Sequence, residues 1–167
     1  LPELLVEIVN SLNFPKNMRC PDLEMKFVRP IKGLIGLLDH VVVDFEIAGV
    51  KSGNVSRGHR FLSSGAITIN NATEYVEKMA ENFVVVNQEL RRSMILQQIE
   101  ELAASKNGRA DITEDLLEEV VYLVEYPTAL CGVFEEKYLK LPPETVVTPM
   151  REHQRYFPVK DANGSLM

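Results

Sequence analysis

The chain has 167 residues, of which 46% are hydrophobic and 25% are charged, as is ordinary for a globular protein with a buried core. Its net charge of −6 excludes a general attraction of the surface to nucleic acid, so any RNA contact needs a local basic patch. No apolar run approaches the roughly 18 residues of a membrane span, and no signal peptide opens the chain. We therefore expect a cytoplasmic protein with no membrane partner.

The cysteines and histidines are few. Cys20 and Cys131 are too few for a disulfide framework or a cysteine zinc site, and both are expected to be free thiols, as is usual in the cytosol. The only histidines are His40, His59 and His153, and they are not at metal-ligand spacing. No metal site is predicted.

The first part of the chain favours short elements separated by loops. A helix is predicted over residues 2 to 12, and Lys26 to Pro30 is a candidate for a short strand. The apolar segment Ile31 to Leu38 favours a buried helix. Alternating apolar residues predict a strand from Val41 to Val50, and Ala66 to Ile69 predicts another.

Helical signals follow. Asn71 can cap a helix that runs to about Glu81. The β-branched residues of Phe83 to Val86 predict a short strand. The longest helix is predicted from Gln88 to about Ser105, because its apolar residues form a one-sided stripe, and Asn107-Gly108 ends it.

Towards the end of the sequence, Thr113 is expected to cap a helix that Pro127 stops. Thr128 to Phe134 predicts a strand, and Thr148-Pro149 predicts the start of a short helix reaching about Gln154. The fold class predicted from these elements is α+β, with a mixed or antiparallel sheet and packed helices. We expect a single domain over residues 1–167, with residues 148–167 as a candidate start of the next segment.

Both ends suggest a piece excised from a longer protein. The chain begins with leucine and is at once at helical spacing. Near the other end, Asp161 to Gly164 predicts a hairpin turn whose return strand, Ser165 to Met167, has hardly begun.

The first cluster with chemical potential lies between Gly53 and Arg60. Its glycine spacing matches a phosphate-binding P-loop, but the Lys-Ser/Thr pair that reaches phosphate and magnesium is missing. In an extended chain, Arg57, His59 and Phe61 would share one face, while Arg60 would point to the other. Guanidinium groups beside an imidazole and an aromatic ring suit a phosphate and a stacked base. Alternatively, the arginines hold the loop to carboxylates.

The second cluster spans Met150 to Phe157. Arg151 and Arg155 are four positions apart and would share a helix face, with Glu152 and His153 to the side. Three interpretations stay open: an acid/base pair, an RNA-facing patch, or a helix-to-strand junction held by arginine hydrogen bonds. No spacing in the sequence assembles an active site, so no catalytic residue is predicted.

A family resemblance covers nearly the whole chain. The chain resembles the β subunit of heterotetrameric glycyl-tRNA synthetase in segments that occur in the family's order and at similar spacing. These segments are Phe27-Val28-Arg29-Pro30-Ile31, Lys51-Ser52-Gly53-Asn54, Arg57-Gly58-His59-Arg60-Phe61-Leu62, Asp115-Leu116-Leu117-Glu118-Glu119-Val120 and Met150-Arg151-Glu152-His153-Gln154-Arg155-Tyr156-Phe157-Pro158-Val159. The family often has tryptophan where this chain has Cys20, Gly33 and Tyr126, which changes packing more than polar chemistry.

The resemblance implies a division of labour. In the family, the α subunit carries the site that uses ATP and magnesium to activate glycine and join it to tRNA, and two α and two β subunits assemble. The β subunit binds glycine tRNA and is required for activity. Part of it resembles the B3/B4 editing module of phenylalanyl-tRNA synthetase, and this chain is a candidate for that part, by fold analogy alone. No cofactor is expected in this chain itself.

Two functions follow as hypotheses. The chain is either a non-catalytic tRNA-binding or assembly domain of the ligase, or an editing-type hydrolase that removes a wrong amino acid from tRNA. The absence of an evident nucleophile or metal site in the sequence favours the first. The candidate RNA contacts are Arg57, His59, Arg60, Arg151, His153 and Arg155.

Overall fold

A computed structural model describes residues 1–19 and 25–167. It divides into two compact units, Leu1–Phe83 and Val84–Met167. Each unit combines helices with short strands in small mixed or antiparallel sheets, so the predicted α+β class is confirmed. The expectation of a single domain stays a prediction, and Cys20 lies outside the described residues.

The first unit opens with helix α1, Pro2–Ser11, which has proline at its first position as the helix N-terminus favours. A short antiparallel pair follows, in which β1, Met18–Arg19, lies against β2, Lys26–Phe27. The rings of Phe14 and Phe27 meet edge to face, with centroids 5.0 Å apart. This aromatic contact supports the β1–β2 pair. Strand β2 lies within Lys26 to Pro30, so the strand predicted there is confirmed.

Two- to four-residue strands make up the middle of this unit. They are β3 (Leu34–Ile35), β4 (Leu37–Leu38), β5 (Val41–Val42), β6 (Glu46–Ile47), β7 (Val50–Gly53), β8 (Val55–Ser56) and β9 (Ile67–Thr68). Strand β7 is central to a mixed sheet, since it pairs parallel with β3 and antiparallel with β6. Strand β4 pairs antiparallel with β5, and β8 pairs antiparallel with β9.

The buried helix predicted over Ile31 to Leu38 is wrong, because that segment forms β3 and β4 instead. Gly36 between them is the reason in part. A Cβ there would lie 2.7 Å from the Phe45 ring and 2.9 Å from the Val43 carbonyl oxygen. Glycine disfavours a helix and here permits the neighbouring backbone to approach closely.

The strand predicted from Val41 to Val50 is interrupted. Ile47 pairs with Val50 across a two-residue turn in which Ala48 and Gly49 have φ of 52° and 76°. Positive φ at both central residues is the geometry of a type I′ hairpin. The alternating pattern therefore predicts β-structure correctly, but the segment does not form one continuous strand.

Helix α2, Tyr75–Glu81, closes the first unit after a 3₁₀ turn at Ala72–Glu74. The side chain of Asn71 accepts the N–H of Thr73 at 3.0 Å, which confirms the predicted cap. The buried apolar residues of this unit come from strands, the loop after β9 and α2. They are Ile47, Ile67, Ile69 and Met79.

The second unit is built on two packed helices, α3, Gln88–Ser105, and α4, Glu114–Leu123. Both were predicted. Asn87 caps α3 by accepting the N–H of Leu90 at 3.0 Å, and Asn107, with φ of 59°, ends it. The core comprises buried Ile95, Leu117 and Val121, with Leu96, Ile99, Ile112, Val120, Val124 and Phe157 packed against them.

Two predicted strands in this unit are wrong. Residues 83–87 form a turn and an irregular connection in which the Val85 N–H donates to the Glu125 carbonyl at 2.9 Å. Residues 127–135 are also irregular, with Leu130 89% and Val133 92% exposed. Neither segment therefore forms the strand predicted for it.

The final elements are β10, Arg109–Ala110, a 3₁₀ turn at Glu136–Lys140, helix α5, Pro143–Glu152, and β11, Val159–Lys160. Helix α5 begins earlier than predicted, at Pro143, and contains Pro149 in its interior. Strand β11 pairs antiparallel with β10. None of the described helices combines the length and the apolar composition needed to cross a bilayer.

Candidate nucleic-acid interface

The first cluster forms a loop, residues 57–62, that directly follows β8; we call it the arginine loop. The backbone N–H of His59 donates to the Asn82 carbonyl oxygen at 2.9 Å, just beyond α2. The Ser63 hydroxyl donates to Asn82 Oδ1 at 2.8 Å, and the Asn82 amide donates to the Lys78 carbonyl at 2.8 Å. The loop is therefore attached to the C-terminal end of α2.

Gly58 makes this attachment sterically feasible. A Cβ at this position would lie 2.6 Å from each of three atoms, namely Asn82 Cβ, the Asn82 carbonyl oxygen and Ser63 Oγ. Separations this short do not occur for real side chains, so glycine is required by close approach.

The imidazole of His59 shapes the tip of the arginine loop. Its Nδ1 accepts the backbone N–H groups of Phe61 and Leu62, each at 3.2 Å. An Nδ1 that accepts hydrogen bonds places the proton of the neutral ring on Nε2. His59 is thus a half-buried structural residue whose remaining polar atom is a donor.

Phe61 projects from the loop and is 83% exposed. The Arg60 guanidinium carbon lies 5.6 Å from the centre of its ring, and the rings of His59 and Phe61 are 6.2 Å apart. Arg57 and Arg60 are both exposed, and neither pairs with a carboxylate in the described part of the chain. Hydrogen bonds from backbone N–H groups to the Asn82 carbonyl oxygen and to His59 Nδ1 hold this loop. The alternative interpretation expected carboxylates to hold it instead.

The second cluster has different surroundings. Arg151 in α5 donates to the carboxylate of Asp111, which also lies 2.7 Å from Lys160 Nζ of β11. The hydrogen bond from Lys160 and the positive charge of Arg151 hold the pKa of Asp111 below its ordinary value, although partial burial opposes this. Asp111 thereby connects α5 to the β10–β11 pair.

Arg155 closes the C-terminal end of α5. Its Nε lies 2.6 Å from Glu119 Oε1 of α4, and its Nη1 donates to the carbonyl oxygens of Arg151 and Glu152. The residue itself has φ of 58°, in the left-handed region. A cation that binds the last carbonyl groups suits the negative end of a helix.

The remaining members of the second cluster, Glu152 and His153, are exposed at the end of α5. The structure thus brings Arg151 and Arg155 together at one junction and gives both carboxylate partners. Sequence reasoning did not identify these partners, Asp111 and Glu119, because each lies at least 36 positions before its arginine and no local spacing links the two.

The chemistry available to the arginine loop is charge neutralisation, hydrogen-bond donation and ring stacking. Cys131 is exposed and forms no disulfide with a described residue, and the prediction of two free thiols stays a prediction because Cys20 lies outside the described residues. Within residues 1–19 and 25–167, no group of three or more His, Cys, Asp or Glu side chains is arranged to hold a metal ion.

Comparison with known proteins gives consistent matches. Residues 1–167 match the family described as "Glycyl-tRNA synthetase beta subunit". The chain is 50% identical over 167 residues to the glycine–tRNA ligase beta subunit of Moorella thermoacetica, covering all of this chain and 24% of that protein. It is 47% identical over 159 residues to that of Clostridioides difficile (95% and 23% covered), and 46% identical over 167 residues to that of Bacillus subtilis (100% and 24% covered). The chain thus spans about a quarter of the length of these relatives.

Proposed function

Since the chain belongs to the glycyl-tRNA synthetase beta subunit family, we propose that it serves a glycine–tRNA ligase as a non-catalytic domain that binds tRNA. The ligase would be an assembly of two α and two β subunits in the cytoplasm, with ATP and magnesium bound at the α subunit. The second part of this proposal is a role in assembly of the ligase. The third part is the fold analogy with the B3/B4 module of phenylalanyl-tRNA synthetase.

The arginine loop is the observation that carries the proposal. A chain of net charge −6 needs a concentrated positive site to meet RNA. Arg57 and Arg60 are exposed arginines without carboxylate partners among the described residues, and the Arg60 guanidinium lies beside the exposed ring of Phe61. Guanidinium groups bind phosphates in a bidentate geometry.

The six predicted contact residues then divide by their surroundings. Arg57, His59 and Arg60 are proposed to face tRNA. Arg151 and Arg155 already bind carboxylates of the second unit, and we propose that they mainly stabilise the junction of α5 and β11. His153, exposed at the end of α5, stays a candidate contact.

The test measures tRNA affinity as a function of salt concentration in the complete ligase that contains this chain. Arg57→Ala and Arg60→Ala should each weaken binding and reduce the slope of log affinity against log salt by about one unit. Lys16→Ala is the matched control, because it removes an exposed positive charge outside both clusters. Unchanged slopes for both arginine variants would contradict tRNA binding by this loop.

A further inference from the structure

We propose that Phe61 is a stacking platform for an unpaired RNA base, with Arg57 and Arg60 on the phosphates that flank it. This inference rests on the proposed tRNA binding and specifies the ligand of the arginine loop. It assigns the loop to single-stranded or looped RNA, as opposed to a paired stem.

The first support is the exposure of an aromatic ring on a well-held loop. Phe61 is 83% exposed, although its backbone N–H is bound by His59 Nδ1 at 3.2 Å. The loop is also attached to Asn82 through the His59 N–H and the Ser63 hydroxyl. A loop whose backbone is already held loses little conformational entropy when a ligand stacks on its aromatic ring.

The second support is the combination of ring and charge. The Arg60 guanidinium lies 5.6 Å from the centre of the Phe61 ring, and Arg57 is exposed in the same loop. Proteins that bind single strands combine such cations, which follow the backbone, with aromatic rings on which bases stack. A protein partner with an acidic, apolar surface would be the competing ligand.

The third support is the orientation of the His59 hydrogen bonds. Because Nδ1 accepts two backbone N–H groups, the neutral imidazole has only the Nε2 hydrogen left to offer. A single donor in the same loop as two arginines suits acceptor-rich RNA, since phosphate oxygens and base carbonyls both accept hydrogen bonds.

The preference for an unpaired base follows from the chemistry of stacking. Inside a helical stem, each base already has neighbours on both faces, so the face of a protein ring cannot reach it. An unpaired base in a loop, a bulge or a single-stranded end presents an open face. The site therefore requires RNA with at least one unstacked nucleotide.

The experiment compares Phe61→Leu with Phe61→Tyr in the complete ligase. The ligands are glycine tRNA, a single strand of about 12 uridines and a blunt RNA duplex of similar length. Phe61→Leu should weaken binding of the tRNA and the single strand about 5- to 150-fold, as expected for the loss of one stacked base. Phe61→Tyr, which keeps the ring, should stay within about twofold, and duplex binding should not respond to either change.

Controls separate this proposal from the proposed function. Leu62→Ala removes another exposed apolar side chain from the same loop and should leave RNA affinity near that of the parent enzyme. The salt slope should be unchanged in Phe61→Leu, because no phosphate contact is lost. If Arg60→Ala lowers the slope but Phe61→Leu binds every RNA normally, stacking is refuted and tRNA binding stands.

Two further outcomes overturn the proposal. If neither the arginine variants nor Phe61→Leu affects RNA binding, tRNA binding by the loop and base stacking both fail. If Phe61→Leu instead causes the ligase subunits to dissociate in analytical ultracentrifugation, while the assembled fraction binds RNA normally, the ring contacts protein.

Discussion

The N–H of His59 donates to the carbonyl oxygen of Asn82, and this bond joins the arginine loop to the residue that follows α2. The same asparagine also accepts a hydrogen bond from Ser63 and lies against Gly58. One residue thus supports the backbone on both sides of His59. The position of Phe61 and Arg60 depends on a contact that no local motif reveals.

Gly58→Ala tests this support. The added methyl group would meet the backbone oxygen of Asn82 at 2.6 Å, and a backbone atom cannot move aside as a flexible side chain can. We expect a loss of about 1–3 kcal/mol in unfolding free energy. Urea unfolding of the protein measures it.

Gly53→Ala is the control for Gly58→Ala, because a Cβ on Gly53 meets nothing within 4 Å. The control should change the unfolding free energy by less than about 0.5 kcal/mol. Equal effects of the two substitutions would contradict a special packing role for Gly58.

Arg155→Ala should destabilise the second unit. The substitution removes the pair with Glu119 and the donors to two carbonyl groups at the end of α5. We expect a loss of about 1–2 kcal/mol, in the range for hydrogen bonds to charged groups reduced by partial exposure. Arg57→Ala, which lacks such partners among the described residues, should stay within about 0.5 kcal/mol in the same unfolding assay.

The salt dependence of tRNA binding gives the complementary measurement for these two arginines. Arg155→Ala is expected to keep the parent slope, whereas Arg57→Ala should lower it by about one unit. The opposite result would be a lower salt slope for Arg155→Ala and a lower unfolding free energy for Arg57→Ala. That result would assign tRNA binding to the second cluster and a structural role to the arginine loop.

Helix α3 offers a prediction about capping. Asn87→Ala removes the side chain that accepts the Leu90 N–H, and should cost about 1 kcal/mol. Thr113→Ala is a matched comparison at α4, because the Thr113 side chain makes no capping hydrogen bond. Thermal melting should therefore show a clear decrease for Asn87→Ala and a much smaller one for Thr113→Ala.

Local signals were sufficient for the longer helices of this protein. A one-sided apolar stripe predicted α3 from Gln88 to about Ser105, and Asn107-Gly108 predicted its end. The prediction included Leu90 in the apolar stripe, but this residue is 56% exposed. Thr113 marked the start of α4 correctly, although its side chain does not form the expected bond.

Short strands and distant ion pairs could not be predicted in the same way. A two-residue strand such as β3 exists because β7 lies beside it, and periodicity within Ile31 to Leu38 contains no information about that neighbour. The same limit applies to Arg151. Its spacing from Arg155 was visible in the sequence, but Asp111, forty positions earlier, decides what it binds.

The chain alone is expected to attach no glycine to tRNA. The sequence has no complete phosphate-binding motif, and we propose that glycine is activated at the α subunit. The purified chain should give only background charging with glycine, ATP, magnesium and glycine tRNA. Supplying the α subunit and the complete β subunit is the positive control, and charging by the chain alone would refute a non-catalytic role.

The pH dependence of the unfolding free energy should reveal the lowered pKa of Asp111. Lys160 and Arg151 lower the pKa of this carboxyl group in the folded state, so the folded protein binds its proton less readily than the unfolded chain. Its contribution to stability is thus fully present above the ordinary aspartate value of 3.8 and is lost as the pH falls through the lowered folded value.

Asp111→Asn removes the charge while keeping the shape of the side chain. At neutral pH the variant should be less stable by about 1–2 kcal/mol, because Lys160 and Arg151 lose a charged partner in a site that is about one quarter exposed. Urea unfolding at decreasing pH should show this difference shrinking as Asp111 becomes protonated in the parent protein. Glu125→Gln, at an exposed residue without an ion pair in the described part of the chain, is the control. A difference for Asp111→Asn that stays constant from neutral pH to well below 3.8 would show that the charge of Asp111 does not stabilise the junction.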